Sequence, residues 1–207
     1  MRRKHRTGYL MLALLIISGL AGTVKNYSLN KKERKYATEC MKSSKQRLFE
    51  SLMGLTQDQL TYKPSKEKQS VLEYINHLTN SERKIWGLLE SSMKSTANPE
   101  ERAKITMTDE QVILLVSEGH IDELFANKPE KTDFSKKPIE KTLKEFNHIR
   151  NIHINYIKST TEDLRNHVVE TPLGWLDCYQ VYLFISSYTD YLLKEVDILK
   201  SNPSFPQ

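Results

Sequence analysis

Apolar residues recur along four long stretches of the chain at the spacing of one face of an α-helix. The spacing predicts helices from Lys31 to about Met53, from Val71 to before Asn98, from Ile139 to about Thr160, and from Trp175 to Leu199. The fourth stretch is the most apolar, so we expect it to form the most buried helix. No stretch alternates apolar and polar residues as a half-buried strand would.

Capping and turn residues mark the ends of these predicted helices. Gly54 follows the first stretch and predicts its C-terminal end. Ser70 and Glu73 have the spacing of a capping box at the start of the second helix. The tripeptide 172–174, Pro-Leu-Gly, predicts a turn before the fourth helix.

A long polar connection over 99–138 separates the second and third helices. It contains one short predicted helix over 110–117, which Thr108 caps and Gly119 ends. Four long helices without strands predict an all-α four-helix bundle. A connection of this length would let the second and third helices run parallel, whereas short loops would force neighbouring helices to alternate in direction.

The first 22 residues have the pattern of an export signal. A basic cluster over 2–6 precedes an apolar run over 9–20, which is short for a permanent helix across a bilayer about 30 Å thick. We predict that residues 1–22 are a signal peptide cleaved after Ala21 or, alternatively, an uncleaved N-terminal membrane anchor. Either places the domain over 29–200 outside the cytoplasmic membrane, as a secreted, periplasmic or outer-face protein. Residues 201–207 are a predicted disordered tail.

The composition is that of one globular domain. Of the 207 residues, 38% are hydrophobic, which is enough to fill one core, and seven glycines are too few for an all-β protein. The formal net charge is +5, but the first 21 residues hold four basic residues and no acid, so the rest has a net charge of +1. A nearly neutral domain does not attract a phosphate backbone, so nucleic acid is excluded as an expected partner.

The two cysteines, Cys40 and Cys178, are too few for a zinc ribbon or a disulfide scaffold. Outside the cytoplasm they could pair as one disulfide. Their positions in helical patterns favour two buried thiols that pack as small apolar side chains.

Six short motifs stand in order along the chain. They are Leu29 to Arg34, Gly54 to Leu60, Ser70 to His77 with Ser81 and Glu82, Met107 to Val112, Asp163 to Val168, and Pro172 to Gln180. In this order they resemble the DinB-like superfamily of four-helix bundles, which includes bacillithiol S-transferase-like and mycothiol-dependent enzymes. The resemblance covers residues 29–199 and implies the bundle fold, with a homodimer as one expected assembly.

The resemblance also implies a divalent metal, zinc or nickel, held by one histidine of the second helix and an H-x-x-x-H pair of the fourth. Residues four apart share a helical face, so both imidazoles of such a pair can reach one ion. His77 matches the ligand of the second helix, but Tyr188 and Leu192 stand at the positions of the pair. We therefore predict a degenerate metal site, no cofactor, and a non-catalytic binding or structural module. The alternative is a metal-dependent thiol S-transferase or hydrolase with a rearranged set of ligands.

A rearranged site would need other ligands near His77. His153 lies on the apolar seam of the third helix, and Glu195 lies seven positions after Tyr188 on the fourth, so these residues could complete a site. The interpretation that the residue types favour is a core histidine hydrogen-bonded to a tyrosine.

Four tyrosines of the fourth helix, at positions 179, 182, 188 and 191, allow two interpretations. In the first, the rings fill the volume of the lost metal site and their hydroxyls bond to Glu82 or His77. In the second, an amphipathic pocket binds a small organic molecule, with pocket candidates Glu82, His153, Tyr188, Tyr191 and Glu195.

The remaining histidines of the domain are predicted to be structural. Glu145 and His148 have the spacing of a di-iron ligand pair, but no second pair of this kind occurs, so a solvated helix face is expected. His120 and His167 are expected to be capping or surface residues.

Overall fold

The computed structural model describes residues 29–119 and 138–207. The helices are α1 (Lys31–Leu52), α2 (Gln57–Thr61), α3 (Val71–Lys94), a 3₁₀ segment (Pro99–Lys104), α4 (Asp109–Ser117), α5 (Ile139–Ser159) and α6 (Cys178–Lys200), and the strands are β1 (Val168–Thr171) and β2 (Gly174–Asp177). α1, α3, α5 and α6 are the four long helices that the sequence predicts. None of the described helices combines the length and the apolarity needed to cross a membrane. The predicted leader over 1–22 and His120 lie outside the described residues.

The predicted caps are confirmed. Ser70 and Glu73 form a complete capping box at the start of α3, and Thr108 caps α4. Gly54 and Gly119 follow α1 and α4 with φ of +79° and +84°, a region that glycine enters without strain. At Gly119 a Cβ atom would also lie 2.5 Å from the ring of Tyr191, so both the backbone and the packing require glycine there.

In the bundle, α1 lies diagonally opposite α3, and α5 lies diagonally opposite α6. α1 and α3 each pack against both α5 and α6. Asn76 pairs with Thr142, and farther along both helices Trp86 meets Tyr156, so α3 and α5 run in the same direction. This is the parallel arrangement that the long connection permits.

α6 is the central helix. It packs against α1, α3 and α4, and every residue over 178–189 is buried. The expectation that the fourth helix is the most buried is confirmed, and its inward-facing side chains are therefore placed to form any site inside the bundle.

A β-hairpin precedes α6, although the sequence predicts no strands. Val168 pairs with Asp177 and Thr171 with Gly174, whose φ is +100° at the predicted turn. Because β2 occupies residues 174–177, the fourth helix begins at Cys178 rather than at Trp175. Strands of four residues are too short to show a recognisable alternation of apolar and polar positions.

Residues 201–207 pack against α2, which corrects the prediction of a disordered tail. Phe205 is only 8% exposed, and its ring meets that of Tyr62 edge-on with centroids 5.4 Å apart. The Tyr62 hydroxyl donates to Asn202 at 3.1 Å, and the Gln59 amide donates to the carbonyl of Pro206 at 3.0 Å. One buried aromatic ring thus fixes the end of the chain.

The two cysteines are free thiols. Cys178 is buried and donates through Sγ to the Ser92 hydroxyl at 3.5 Å. Burial raises the pKa of Cys178 to about 11, so it remains a neutral thiol at physiological pH. Cys40 is half-buried. The structure therefore agrees with two thiols rather than a disulfide.

Candidate functional site

A hydrogen bond between α3 and α6 joins two of the three positions at which the resemblance implies metal ligands. His77 Nε2 lies 2.6 Å from the hydroxyl of Tyr188, and the Ser81 hydroxyl lies 3.4 Å from the same nitrogen. Leu192 follows Tyr188 by one helical turn and is also buried. Nε2 of His77 is therefore engaged by a phenol.

Burial controls the protonation of this pair. Burial and the charge of Lys84 lower the pKa of His77, so the imidazole is neutral at pH 7. Its Nε2 can therefore accept a hydrogen bond from the hydroxyl of Tyr188. The Tyr188 ring stacks between those of Phe184 and Tyr191, with centroid distances of 5.9 and 6.1 Å. The three rings therefore pack together on α6 beside the hydrogen bond between His77 and Tyr188.

A second polar cluster lies in the middle of the bundle around Arg150, a residue fully buried on α5. Its guanidinium binds Glu82 of α3 in a bidentate ion pair, with N–O distances of 2.7 and 2.8 Å. The remaining donors reach Thr189 at 2.7 Å, Ser44 at 2.8 Å and the carbonyl of Met41 at 3.3 Å. All five N–H groups of the guanidinium are thereby satisfied, by partners on α1, α3 and α6.

His153 joins this cluster through Glu82. Its Nδ1 lies 2.9 Å from the Glu82 carboxylate, and its ring stacks on Trp86 with centroids 4.2 Å apart. Burial alone would raise the pKa of Glu82, but the charge of Arg150 and hydrogen bonds from His153 and Arg150 hold it below its ordinary value. Glu82 is therefore an ionised carboxylate whose partners are a cation and a histidine, not tyrosine hydroxyls.

The candidate residues do not come together as one site. His77 bonds to Tyr188 and His153 to Glu82, whereas Glu195 accepts from the Tyr74 hydroxyl at 3.4 Å. Over residues 29–119 and 138–207 no three His, Cys, Asp or Glu side chains are placed to hold a metal ion. The described residues thus do not provide the ligand set proposed for a rearranged site, and the core histidine His153 pairs with a carboxylate rather than a tyrosine.

The two other described histidines differ from one another. His148 is exposed on α5 and Glu145 pairs with Arg83, which agrees with the predicted solvated face. His167 is buried, and its Nδ1 lies 2.9 Å from the carbonyl of Ser92. His167 is therefore not a surface residue, but its contact with a carbonyl in the last turn of α3 agrees with the expectation of a capping residue.

A third polar cluster, which the sequence reasoning did not single out, surrounds Arg165. Its guanidinium reaches Glu33 at 2.8 Å, Asp109 at 2.7 Å and Asp177 at 3.0 Å, and it lies 4.1 Å from the centre of the Tyr179 ring. Burial raises the pKa of Asp177, although Arg165 opposes that shift. Since Asp177 caps α6 and Asp109 begins α4, this cluster joins α1, α4 and α6 and is structural.

Comparisons with known proteins agree with the fold. A family model described as the DinB superfamily matches residues 41–187. A solved structure, described as "YfiT from Bacillus subtilis is a probable metal-dependent hydrolase with an unusual four-helix bundle topology", has a TM-score of 0.58 and 12% identity, and covers 84% of this chain and 89% of that chain. At this identity the likeness shows the fold alone. Among curated proteins, none matches the sequence.

Proposed function

Because the chain belongs to the DinB superfamily, we propose that it is an exported, non-catalytic binding or structural module that keeps the family's bundle and has lost the family's metal site. One observation carries the proposal: His77 Nε2 is 2.6 Å from a buried phenol where a histidine pair would otherwise face it. A neutral tyrosine is a poor ligand for a divalent metal, and leucine has no ligand atom at all.

The residues at the family position do not fit a metal ion. Tyr188 and Leu192 supply no imidazole, and the hydroxyl of Tyr188 lies 2.6 Å from Nε2 of His77. No catalytic step is therefore assigned to a metal in this protein.

A second candidate is a metal-dependent hydrolase or thiol S-transferase that uses a rearranged set of ligands. It is favoured by the retention of His77 and by the description of YfiT as a probable metal-dependent hydrolase. Two alternative donors, Glu82 and His153, are already bonded to each other, and Glu82 is also paired with Arg150, so a metal bound there would have to displace a buried ion pair.

Metal content tests the proposal directly. Protein purified without chelators is expected to contain far less than one equivalent of zinc or nickel, and added metal should not raise its melting temperature. His77→Ala should lower the free energy of unfolding by about 1–2 kcal/mol, because it removes the partly buried hydrogen bond to Tyr188. His148→Ala, at an exposed histidine of α5, is the matched control and should change little. Stoichiometric metal that disappears in His77→Ala would refute the proposal.

Export has its own test, because the leader predicts a mature chain that begins near Gly22. The intact mass of protein recovered from its native host should correspond to a chain without the first 21 residues. A full-length product in the membrane fraction would instead establish the anchored form, and a full-length product in the cytosol would contradict export.

A further inference from the structure

A cavity of about 250 Å³ lies between α3, the end of α5, the segment that follows α5, and α6. Its wall includes the aromatic rings of Trp86, Tyr156 and Tyr182. Trp86 lies nine positions after His77 on α3, about 13 Å farther along the helix axis. The cavity is thus distinct from the His77–Tyr188 pair.

The three rings form a compact aromatic wall. Tyr156 and Tyr182 are parallel to within 4°, with centroids 6.1 Å apart, and Trp86 stands nearly perpendicular to both. Trp86 also stacks on His153, a buried residue of α5, so the tryptophan is held in place by the core. Aromatic rings arranged in this way offer both apolar contact and the negative potential of their faces.

Tyr182 has a buried polar atom that the fold does not satisfy. The residue is fully buried, and its hydroxyl has no hydrogen-bond partner within the part of the chain that the structure describes. Buried hydroxyls are nearly always paired, and an unpaired one calls for a specific reason. Tyr182 is among the residues that line the cavity, but its hydroxyl has almost no accessible surface, so a ligand with a polar hydrogen reaches it only when neighbouring side chains shift.

The ionised groups of the cavity are mainly acidic. Glu90 and Glu162 line it together with one cation, Lys94, so these three side chains have a net charge of −1. Burial raises the pKa of Tyr156, and a hydrogen bond to Thr160 partly opposes this shift. The nearby charges of Glu162 and Glu90 also raise the pKa. Both carboxylates therefore act on the aromatic wall, where they favour a positive charge and disfavour a negative one.

We propose that this cavity binds a small aromatic amine with one ring, whose apolar body packs on Trp86, Leu89 and Leu164 and whose ammonium group lies among the tyrosines and the two carboxylates. The assignment gives the binding module of the proposed function its ligand class, and in that sense it rests on the proposed function. A cavity of this size is at the small end of ligand sites, which fits a compound of a single ring.

The test compares three probes of similar size that differ in charge: 2-phenylethylamine, 2-phenylethanol and phenylacetate. Trp175→Phe leaves Trp86 as the one tryptophan of the chain, so that its fluorescence reports on the cavity. The amine should quench this fluorescence in a saturable way and bind about tenfold more tightly than phenylacetate, with the alcohol between them. Added salt should reduce the preference for the amine.

Two substitutions test whether Glu162 and Tyr182 of the cavity contribute to binding of the amine. Glu162→Gln should weaken binding of the amine about two- to fivefold and leave the alcohol unchanged. Tyr182→Phe should weaken the amine about two- to tenfold because it removes only the hydroxyl. Tyr188→Phe, which removes another buried phenol from the same helix, is the matched control and should not alter binding.

The outcomes separate the two proposals. Equal binding of amine and phenylacetate, or of amine and alcohol, overturns the assignment of an amine, and the absence of saturable quenching by every probe overturns the site. Equal effects of Tyr182→Phe and Tyr188→Phe also overturn the site. Metal content is measured on the same preparation, so stoichiometric metal would refute the non-catalytic module alone, whereas failure of the probes in metal-free protein would refute the cavity alone.

Discussion

Replacing Arg150 by methionine is expected to lower the free energy of unfolding by about 3–5 kcal/mol, the largest effect of any single substitution considered for this protein. Methionine has a similar shape but leaves the ionised Glu82 buried at 1% exposure without its bidentate partner. His153 is the one other group of the cluster that remains in contact with that carboxylate. Urea unfolding at pH 7, followed by circular dichroism, measures the loss.

Two further variants show whether the unpaired charge of Glu82 causes the loss of stability. Arg150→Met combined with Glu82→Gln removes both charges but keeps an amide oxygen for His153, so it should recover a large part of the lost stability. Arg83→Met, in the exposed pair with Glu145, should cost no more than about 1 kcal/mol. A loss at Arg150 no greater than at Arg83 would contradict the assigned role of the buried ion pair.

The same cluster predicts part of the acid sensitivity of the fold. The pKa of Glu82 is lower in the folded protein than its ordinary value of 4.5, so the folded state favours the ionised form. Its contribution to stability is therefore complete above the unfolded pKa and is lost as the pH falls through the folded pKa. The unfolding free energy of Glu82→Gln should thus fall less steeply below about pH 4.5, and equal slopes in the two proteins would contradict this linkage.

The helices could be predicted from the sequence because they depend on local signals. Ser70, Thr108, Gly54 and Gly119 act within a few residues of their own position, so the pattern that predicts a helix end also produces it. The hairpin escaped prediction because its strands have only four residues each. Its stability comes from pairing and from packing on the bundle rather than from a repeated local pattern.

Arg150 could not be recognised as a core residue from its type alone, because a hydropathy pattern counts arginine as polar. Its position is nevertheless informative, because it lies four residues after Phe146 and seven before Ile157, which are two apolar residues of the same predicted helix. Its partner Glu82 is 68 positions away, and only the bundle brings the two together. Phe205 was missed for the same reason, since its contact with Tyr62 joins distant parts of the chain.

Converting Tyr188 and Leu192 to histidine together is expected to create a metal site in this bundle. Both positions are buried and one helical turn apart on α6, and Tyr188 already contacts Nε2 of His77. Three imidazoles would then meet at one point and leave an open coordination position. Zinc at a hundred times its dissociation constant should stabilise the folded state by about 2.7 kcal/mol, which raises the melting temperature by roughly 5–10 °C.

Variants at the same three positions provide the controls for this gain of metal binding. Adding His77→Ala to the double variant should abolish the metal-dependent rise in melting temperature, because two histidines of one helix lack the ligand from α3. Without metal, the double variant should melt below the parent protein, since it replaces a buried leucine and a stacked phenol with polar rings. A metal-dependent rise in melting temperature of equal size in the parent protein would show that Tyr188 does not prevent a metal ion from binding beside His77. No rise in the double variant, with its helical content intact, would show that His77 and α6 do not face one another closely enough to share an ion.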